Sequence, residues 1–153
     1  MTGPYDLSVT RLIDAPVDLV WKIATERMPD YWCPRPWRTE IVEQDWRAGG
    51  RSAMIMHGPE GERHEMEGVF LEVTPGHRFV FTDANRAGWI PQPEMFMTGI
   101  IEFTAEGEQT RYTGTARHWT AEARTRHESM GFTEGWSTVA DQLAEIAEAE
   151  AGR

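Results

Sequence analysis

The sequence predicts an α+β fold in which a curled seven-stranded antiparallel sheet wraps round one long C-terminal helix. Short runs of alternating apolar and polar residues fill residues 5–13 and 39–119, as expected of strands. Most connections between these runs are too short for parallel neighbours, so the strands should pair antiparallel. Residues 120–148 differ, since their apolar side chains recur at helical spacing along one side only. A helix of this kind covers one face of a sheet.

The N-terminal residues predict one strand followed by one or two short helices. Apolar and polar side chains alternate over residues 5–13, which indicates the first strand. From Pro16 onward, apolar residues that include Val20 and Trp21 fall at helical spacing, and proline suits the first turn of a helix. A second helical or irregular piece is expected over residues 28–33, before two closely spaced prolines.

Six further strands are predicted in the middle of the chain. Turn sequences such as Gly58-Pro-Glu-Gly61 and Thr74-Pro-Gly76 separate them. Residues 84–94 contain Gly88, Trp89, Pro91 and Pro93 and are expected to form a long surface loop that could act as a lid. The six predicted strands span residues 39–45, 51–57, 63–74, 77–83, 95–104 and 109–119.

One long helix is predicted from Thr120, a suitable N-cap, to about Glu148. A capping-box match at residues 125–128 would also allow a start or kink there. Two glycines, Gly131 and Gly135, lie inside this helix, and each costs about 1 kcal/mol relative to alanine. They either allow close contact with the sheet or leave space for a ligand. We expect Gly135→Ala to destabilise the protein and Gly131→Ala to be neutral or stabilising.

The composition excludes several classes of partner. The chain of 153 residues has a formal net charge of -10 and no run of Lys or Arg, so no nucleic acid partner is expected. No apolar stretch approaches the length of a membrane span, and the N-terminus lacks the apolar core of a signal peptide. Cys33 is the single cysteine and cannot form an internal disulfide. We expect a cytoplasmic protein with one domain over residues 1–153 and an ordered core over residues 5–150.

Four stretches that together span nearly the whole chain carry a resemblance to a known family. They are Ile13-Asp-Ala-Pro-Val-Asp-Leu-Val-Trp21, Asp45-Trp-Arg-Ala-Gly-Gly-Arg51, Glu67-Gly-Val-Phe-Leu-Glu-Val-Thr-Pro75 and Gly131-Phe-Thr-Glu-Gly-Trp136, followed by Leu143. With them the sequence resembles the activator of heat-shock protein 90 ATPase homologue family, in the START-like (SRPBCC) superfamily that also holds the birch pollen allergen. The resemblance implies the helix-grip fold, with a hydrophobic cavity between sheet and long helix that different members use for different small ligands.

Chaperone activation is not carried over with this resemblance. In the eukaryotic chaperone regulators such a domain follows another domain that binds the chaperone, and the sequence shows no counterpart of it. A stress-response interaction domain that contacts a chaperone through its surface therefore stays an alternative.

The leading hypothesis is a START-like domain that binds a small apolar or amphipathic ligand in that cavity, without a cofactor. Strand parity and the helical wheel turn a set of large apolar side chains inward. Trp32, Trp37 and Trp89 lie in segments broken by proline and glycine, where aromatic rings often close over an apolar ligand. The predicted ligand-binding residues are Phe79, Phe81, Ile101, Phe103, Tyr112, Met130, Gly131, Phe132, Gly135 and Trp136.

The alternative is a cyclase- or hydrolase-like enzyme, although no catalytic motif occurs and no catalytic residue is assigned. Val69 and Leu71 are taken to face inward in the fourth strand. The same parity then brings Glu65 and Glu67 into the cavity, where burial and mutual repulsion favour acid–base chemistry. The other interpretation is that both are solvated surface groups. His118, at the end of the last strand, is the third candidate, and the five histidines lack the spacing of metal ligands.

Overall fold

A seven-stranded antiparallel sheet and three α-helices make up the protein, whose computed structural model describes residues 2–153. The predicted α+β, helix-grip architecture is thereby confirmed. The elements in chain order are β1 (Asp6–Ile13), α1 (Val17–Glu26), a 3-10 turn (Met28–Asp30), β2 (Arg38–Gln44), β3 (Arg51–His57), β4 (Arg63–Thr74), β5 (Arg78–Thr82), β6 (Asn85–Arg86), β7 (Ile90–Pro91), β8 (Thr98–Glu106), β9 (Gln109–Arg117), α2 (Ala121–Ser129) and α3 (Phe132–Ala151).

The strands follow the order β1-β9-β8-β5-β4-β3-β2 across the sheet. The chain runs from β1 at one edge to β2 at the other through α1, and then returns strand by strand until β9 pairs with β1. The tiny strands β6 and β7 pair only with each other, in the connection between β5 and β8. Short antiparallel connections thus build the sheet as the sequence predicts, and that connection is the exception.

The main core lies between the sheet and two of the helices. Trp21 of α1 places its ring edge-on to Phe79, at 6.2 Å between ring centroids, and to Phe103, at 5.5 Å. Fully buried Ala144 and Ala147 of α3 belong to the same cluster, and small side chains there let helices approach closely. The cluster fills the space under α1, so this part of the sheet face is closed by helix packing.

A β-bulge in β4 changes which of its residues face the core. The register with β5 shifts between Phe70 and Glu72, and Phe70 is 1% exposed whereas Leu71 is 39% exposed. The assumption that Leu71 faces inward is therefore wrong. Alternation from Phe70 places Met66 on the core side and puts Glu65 and Glu67 on the other side of the strand.

The predicted C-terminal helix is two helices, which corrects the single helix expected over residues 120–148. Thr120 caps α2 as predicted, because its hydroxyl accepts a hydrogen bond from the Ala123 N–H at 3.1 Å. The break falls at Gly131, which has φ 91° and is the N-cap of α3. Helical periodicity continues through this position, but a left-handed residue cannot continue a right-handed helix. Gly135 lies inside α3, and apart from its chain neighbours and the backbone of its own helix, no atom of the described residues lies within 4 Å of where its Cβ would be.

None of these helices provides a membrane span. Within residues 2–153, no helix is both long enough and apolar enough to cross a bilayer.

Candidate functional site

A cavity of about 520 Å³ opens where β5 ends and β4 continues. The last β4–β5 pair is Val69 with Thr82, so residues 63–68 of β4 pair with β3 on one side and have no strand of the main sheet on the other, within residues 2–153. The gap beside this strand edge becomes the cavity. Its apolar wall consists of Trp32, Met54, Met66, Phe81, Phe96 and Met97.

Residues 83–97, here termed the strap, cover this gap. The Asp83 carboxylate accepts hydrogen bonds from the backbone N–H of Phe96, with 2.9 Å to each oxygen, and from that of Met97, at 3.3 Å. The side-chain amide of Gln92 donates to the Glu67 carbonyl oxygen at 2.9 Å. Gln92 thereby takes the position that a neighbouring strand would occupy, and it ties the strap to the edge of β4.

Glycine shapes the floor of the cavity at Phe81. A methyl group on Gly99 of β8 would overlap the Phe81 ring, so the absence of a side chain at this position lets the ring lie against β8. The ring centroid is 5.9 Å from that of Trp32, in an edge-on arrangement. Close approach, rather than free space, is what this glycine provides.

Gln142 of α3 holds the segment that carries Trp32. Its side-chain amide donates to the carbonyl oxygens of Tyr31 and Cys33 at 2.9 Å each, and its Oε1 accepts from the Arg35 N–H at 3.0 Å. The residue is 6% exposed. Three hydrogen bonds from one buried amide thus fix an otherwise irregular stretch and position Trp32 against the cavity.

The two glutamates proposed from the sequence, Glu65 and Glu67, both border the cavity. Their side chains lie on the face of β4 opposite Met66, however, and each has a basic partner. Glu67 forms a bidentate pair with Arg51, at 2.8 and 2.9 Å. Hydrogen bonds from Arg51 lower the pKa of Glu67 below its usual value of 4.5, so Glu67 is ionised at neutral pH and cannot donate a proton. Glu65 is 70% exposed along its side chain and pairs with Arg63 at 2.8 Å.

His118 lies away from the cavity, between the end of β9 and α2. Its Nδ1 is 2.8 Å from the Tyr5 carbonyl oxygen and therefore donates, which leaves Nε2 to accept from Nδ1–H of His127 at 2.9 Å. Burial, followed by the neighbouring His118, lowers the pKa of His127 to about 4. The His127 ring contacts Phe96, with 4.5 Å between centroids, so the pair supports the cavity wall from behind.

Of the predicted ligand-binding residues, Phe81 lines this cavity and the others lie elsewhere. Four sheet residues belong to the main core, and the Trp21 ring packs on two of them, Phe79 and Phe103. Met130 is 64% exposed, at the break between the helices. Phe132 and Trp136 pack against each other, with 4.7 Å between centroids. The four core residues are Phe79, Ile101, Phe103 and Tyr112.

Sequence reasoning missed the strap residues that complete the site. Asp83 and Gln92 bond to backbone groups, and Phe96 falls near the start of a predicted strand, so no pattern in the sequence singles them out. The segment of Trp32, broken by proline and glycine, does predict a ring near the ligand, and Trp32 lines the cavity. Within residues 2–153, no three side chains of His, Cys, Asp or Glu come together in an arrangement that could hold a metal ion.

The seven-stranded antiparallel sheet and the long C-terminal helix packed on it define a helix-grip domain. The chain belongs to the Activator of Hsp90 ATPase homolog 1-like family, whose sequence pattern matches residues 14–148. This result agrees with the START-like superfamily to which the sequence motifs pointed. Among curated proteins, none matched the chain.

Solved structures share this fold over nearly the whole chain. Protein NE0264 from Nitrosomonas europaea is 35% identical, with 99% of this chain and 100% of that chain covered and a TM-score of 0.89. Protein Ms6760 from Mycobacterium smegmatis is 28% identical, with 93% and 90% covered and a TM-score of 0.76. An AHSA1 protein from Silicibacter pomeroyi is 20% identical, with 95% and 99% covered and a TM-score of 0.72. The last likeness concerns the fold alone.

Proposed function

We propose that this protein binds a small apolar or amphipathic molecule in the cavity beside β4. The observation that carries the proposal is the cavity itself, whose volume of about 520 Å³ falls in the range of about 300–1,000 Å³ that ligand pockets occupy. Three aromatic rings and three methionines supply most of its wall. Methionine side chains adapt to differently shaped ligands, which suits a binding protein better than a site for one reaction.

The neighbouring groups also favour binding over catalysis. Glu67 is held ionised by Arg51, and His118 is bonded to Tyr5 and His127 rather than presented to the cavity. A general acid would have to reach the ligand with a proton to give. Neither of these two groups meets that requirement.

Binding can be tested with a neutral fluorescent dye such as phenylnaphthylamine, whose emission rises in apolar surroundings. We expect saturable binding to the native protein, and native mass spectrometry of freshly purified protein should show a co-purifying small molecule. A dye that gives no saturable signal with the folded protein would overturn the proposal.

A cavity-filling variant locates the dye. Ser52 of β3 lines the cavity, so Ser52→Phe should fill part of it and weaken dye binding by about tenfold, the equivalent of about 1.4 kcal/mol. The matched control is Ser8→Phe, because Ser8 is exposed in β1 at the sheet edge. Equal weakening by both variants would place the dye outside this cavity.

A further inference from the structure

The charged groups that line the cavity all carry the same sign. Of the residues that the structure describes, Glu65, Glu67, Asp83 and Glu94 border the cavity, and no Lys, Arg or His does so. The cavity therefore combines an apolar wall with a rim of carboxylates. A ligand that fits both parts needs an apolar body and a polar end that tolerates negative surroundings.

Two of these carboxylates are neutralised by the protein and two are not. Arg51 pairs with Glu67, and Arg63 pairs with Glu65. Asp83 accepts its hydrogen bonds from backbone N–H groups, which satisfy its oxygens without adding a positive charge. Glu94 is exposed and, within residues 2–153, forms neither a hydrogen bond nor an ion pair. Two uncompensated negative charges thus lie on the strap side of the cavity.

The aromatic side chains of the cavity wall also favour a cationic ligand. Trp32, Phe81 and Phe96 line the cavity together with Asp83 and Glu94. The faces of aromatic rings attract cations, most strongly when the cation is shielded from water. A cavity lined by both carboxylates and aromatic rings favours an amine or ammonium group, and its carboxylates repel an anion.

We propose that the ligand of this cavity is a cationic amphiphile, an apolar or aromatic body that carries an amine or ammonium group held near Asp83 and Glu94. This inference rests on the binding function proposed above. It narrows the ligand class, since fatty acids, phosphorylated lipids and other anionic amphiphiles would bring a negative charge to a negative rim.

Three probes with one apolar body test the charge preference. Phenylbutylamine, phenylbutanol and phenylbutyrate differ at the polar end, which is cationic, neutral or anionic at neutral pH. In calorimetric titrations at low salt we expect the amine to bind about three- to tenfold more tightly than the alcohol, and the alcohol more tightly than the carboxylate. The advantage of the amine should shrink as salt is raised, because screening weakens charge attraction.

A charge-removing variant ties this preference to the rim. Glu94→Gln should weaken binding of the amine by about threefold and leave binding of the alcohol unchanged. The control is Glu108→Gln, since Glu108 is exposed in the turn between β8 and β9, at the end of β8 away from the strap. Asp83 is unsuitable for this test because its replacement would loosen the strap.

The outcomes separate this inference from the binding function. Equal affinity for amine and alcohol, or equal effects of Glu94→Gln and Glu108→Gln on the amine, would overturn the cationic ligand while dye binding still supported the cavity function. Failure of the dye and of all three probes to bind would overturn both. Preference for the amine that is lost in Glu94→Gln alone would support both.

Discussion

The carboxylate of Asp83 spans the base of the strap and receives the backbone N–H of Phe96, at 2.9 Å from each of its oxygens. One side chain thus closes a long connection and places an aromatic ring in the cavity wall. Removal of such a partner leaves half-buried N–H groups unsatisfied, at a cost of about 1–3 kcal/mol.

We therefore expect Asp83→Ala to lower the free energy of unfolding by about 1–3 kcal/mol and to increase amide hydrogen exchange within the strap. Asp14→Ala serves as the control, because Asp14 is exposed after β1. Hydrogen-exchange mass spectrometry checks the prediction. Unchanged exchange over residues 83–97 in the Asp83 variant would show that other contacts hold the strap.

The two glycines of the C-terminal helices should respond to alanine in opposite directions. Gly131→Ala forces a side chain into φ 91°, which costs about 1–2 kcal/mol. Gly135→Ala adds a methyl group that meets, within 4 Å, no described atom outside its chain neighbours and its own helix backbone, so stability should rise by up to about 1 kcal/mol through helix propensity. Denaturant unfolding of both variants measures this. The structure reverses the order expected from sequence, and a more stable Gly131 variant would argue against the left-handed break.

Gly99 and Phe81 should be energetically coupled. Gly99→Ala alone forces the Phe81 ring to move and should cost about 1–3 kcal/mol through overpacking. In the double variant with Phe81→Leu, the smaller side chain makes room for the methyl group, so the combined cost should be less than the sum of the single costs. A double-mutant cycle by thermal or denaturant unfolding measures the coupling. Additive costs would indicate that the two residues do not share this contact.

Gln142 should influence the cavity from a distance. Gln142→Leu removes three hydrogen bonds to residues 31–35 and should destabilise the protein by about 2–4 kcal/mol. Because that segment carries Trp32, dye affinity should fall as well. It is measured without denaturant, at a temperature at which the variant is folded. Gln142→Glu keeps the acceptor for the Arg35 N–H and should retain more of the dye affinity. Undiminished dye binding in the folded leucine variant would contradict this positioning role.

His127 should make stability depend on pH in a defined window. Its pKa is about 4 in the folded protein and about 6.5 when unfolded, so the unfolded chain binds more protons between these values. Protonation of His127 therefore leaves the free energy of unfolding unchanged above pH 6.5. As the pH drops from about 6.5 to about 4, it lowers the free energy of unfolding by on the order of 1–3 kcal/mol. His127→Asn, which keeps a donor near His118, should show a shallower loss over that window. An equal fall of the free energy of unfolding with pH in both proteins would show that His127 does not contribute to the pH dependence.

The sheet could be predicted strand by strand, whereas the gap in it could not. Alternation located β3 and β4 at their observed bounds, because each has one face against a core. The bulge after Phe70 leaves no mark in the apolar pattern. Strict alternation therefore assigns Leu71 to the wrong face of β4, and Glu65 and Glu67 with it. Gly131 gave a local signal, but the apolar stripe continues across it and hides the break.

The binding-site residues were harder to predict for a related reason. Phe81 lies in an alternating strand, so its inward orientation could be predicted. The cavity exists because β5 ends before β4 does, and the sequence of neither strand alone reveals this difference in length. Phe79 and Phe103 point to the same side as Phe81, but Trp21 already occupies their space. Inward orientation therefore did not distinguish a filled core from an open cavity.

The pairing of Thr82 with Thr98 in the β5–β8 register joins the two ends of the strap within the sheet. The strap leaves the sheet and re-enters it at this one residue pair, so the sheet does not constrain the length of the strap. Lengthening a loop with fixed ends costs little, about 0.6 kcal/mol for each doubling. Exchange of this one segment could therefore change the size and charge of the cavity while the scaffold stays intact, which makes the strap a natural graft point for engineering new ligand preferences.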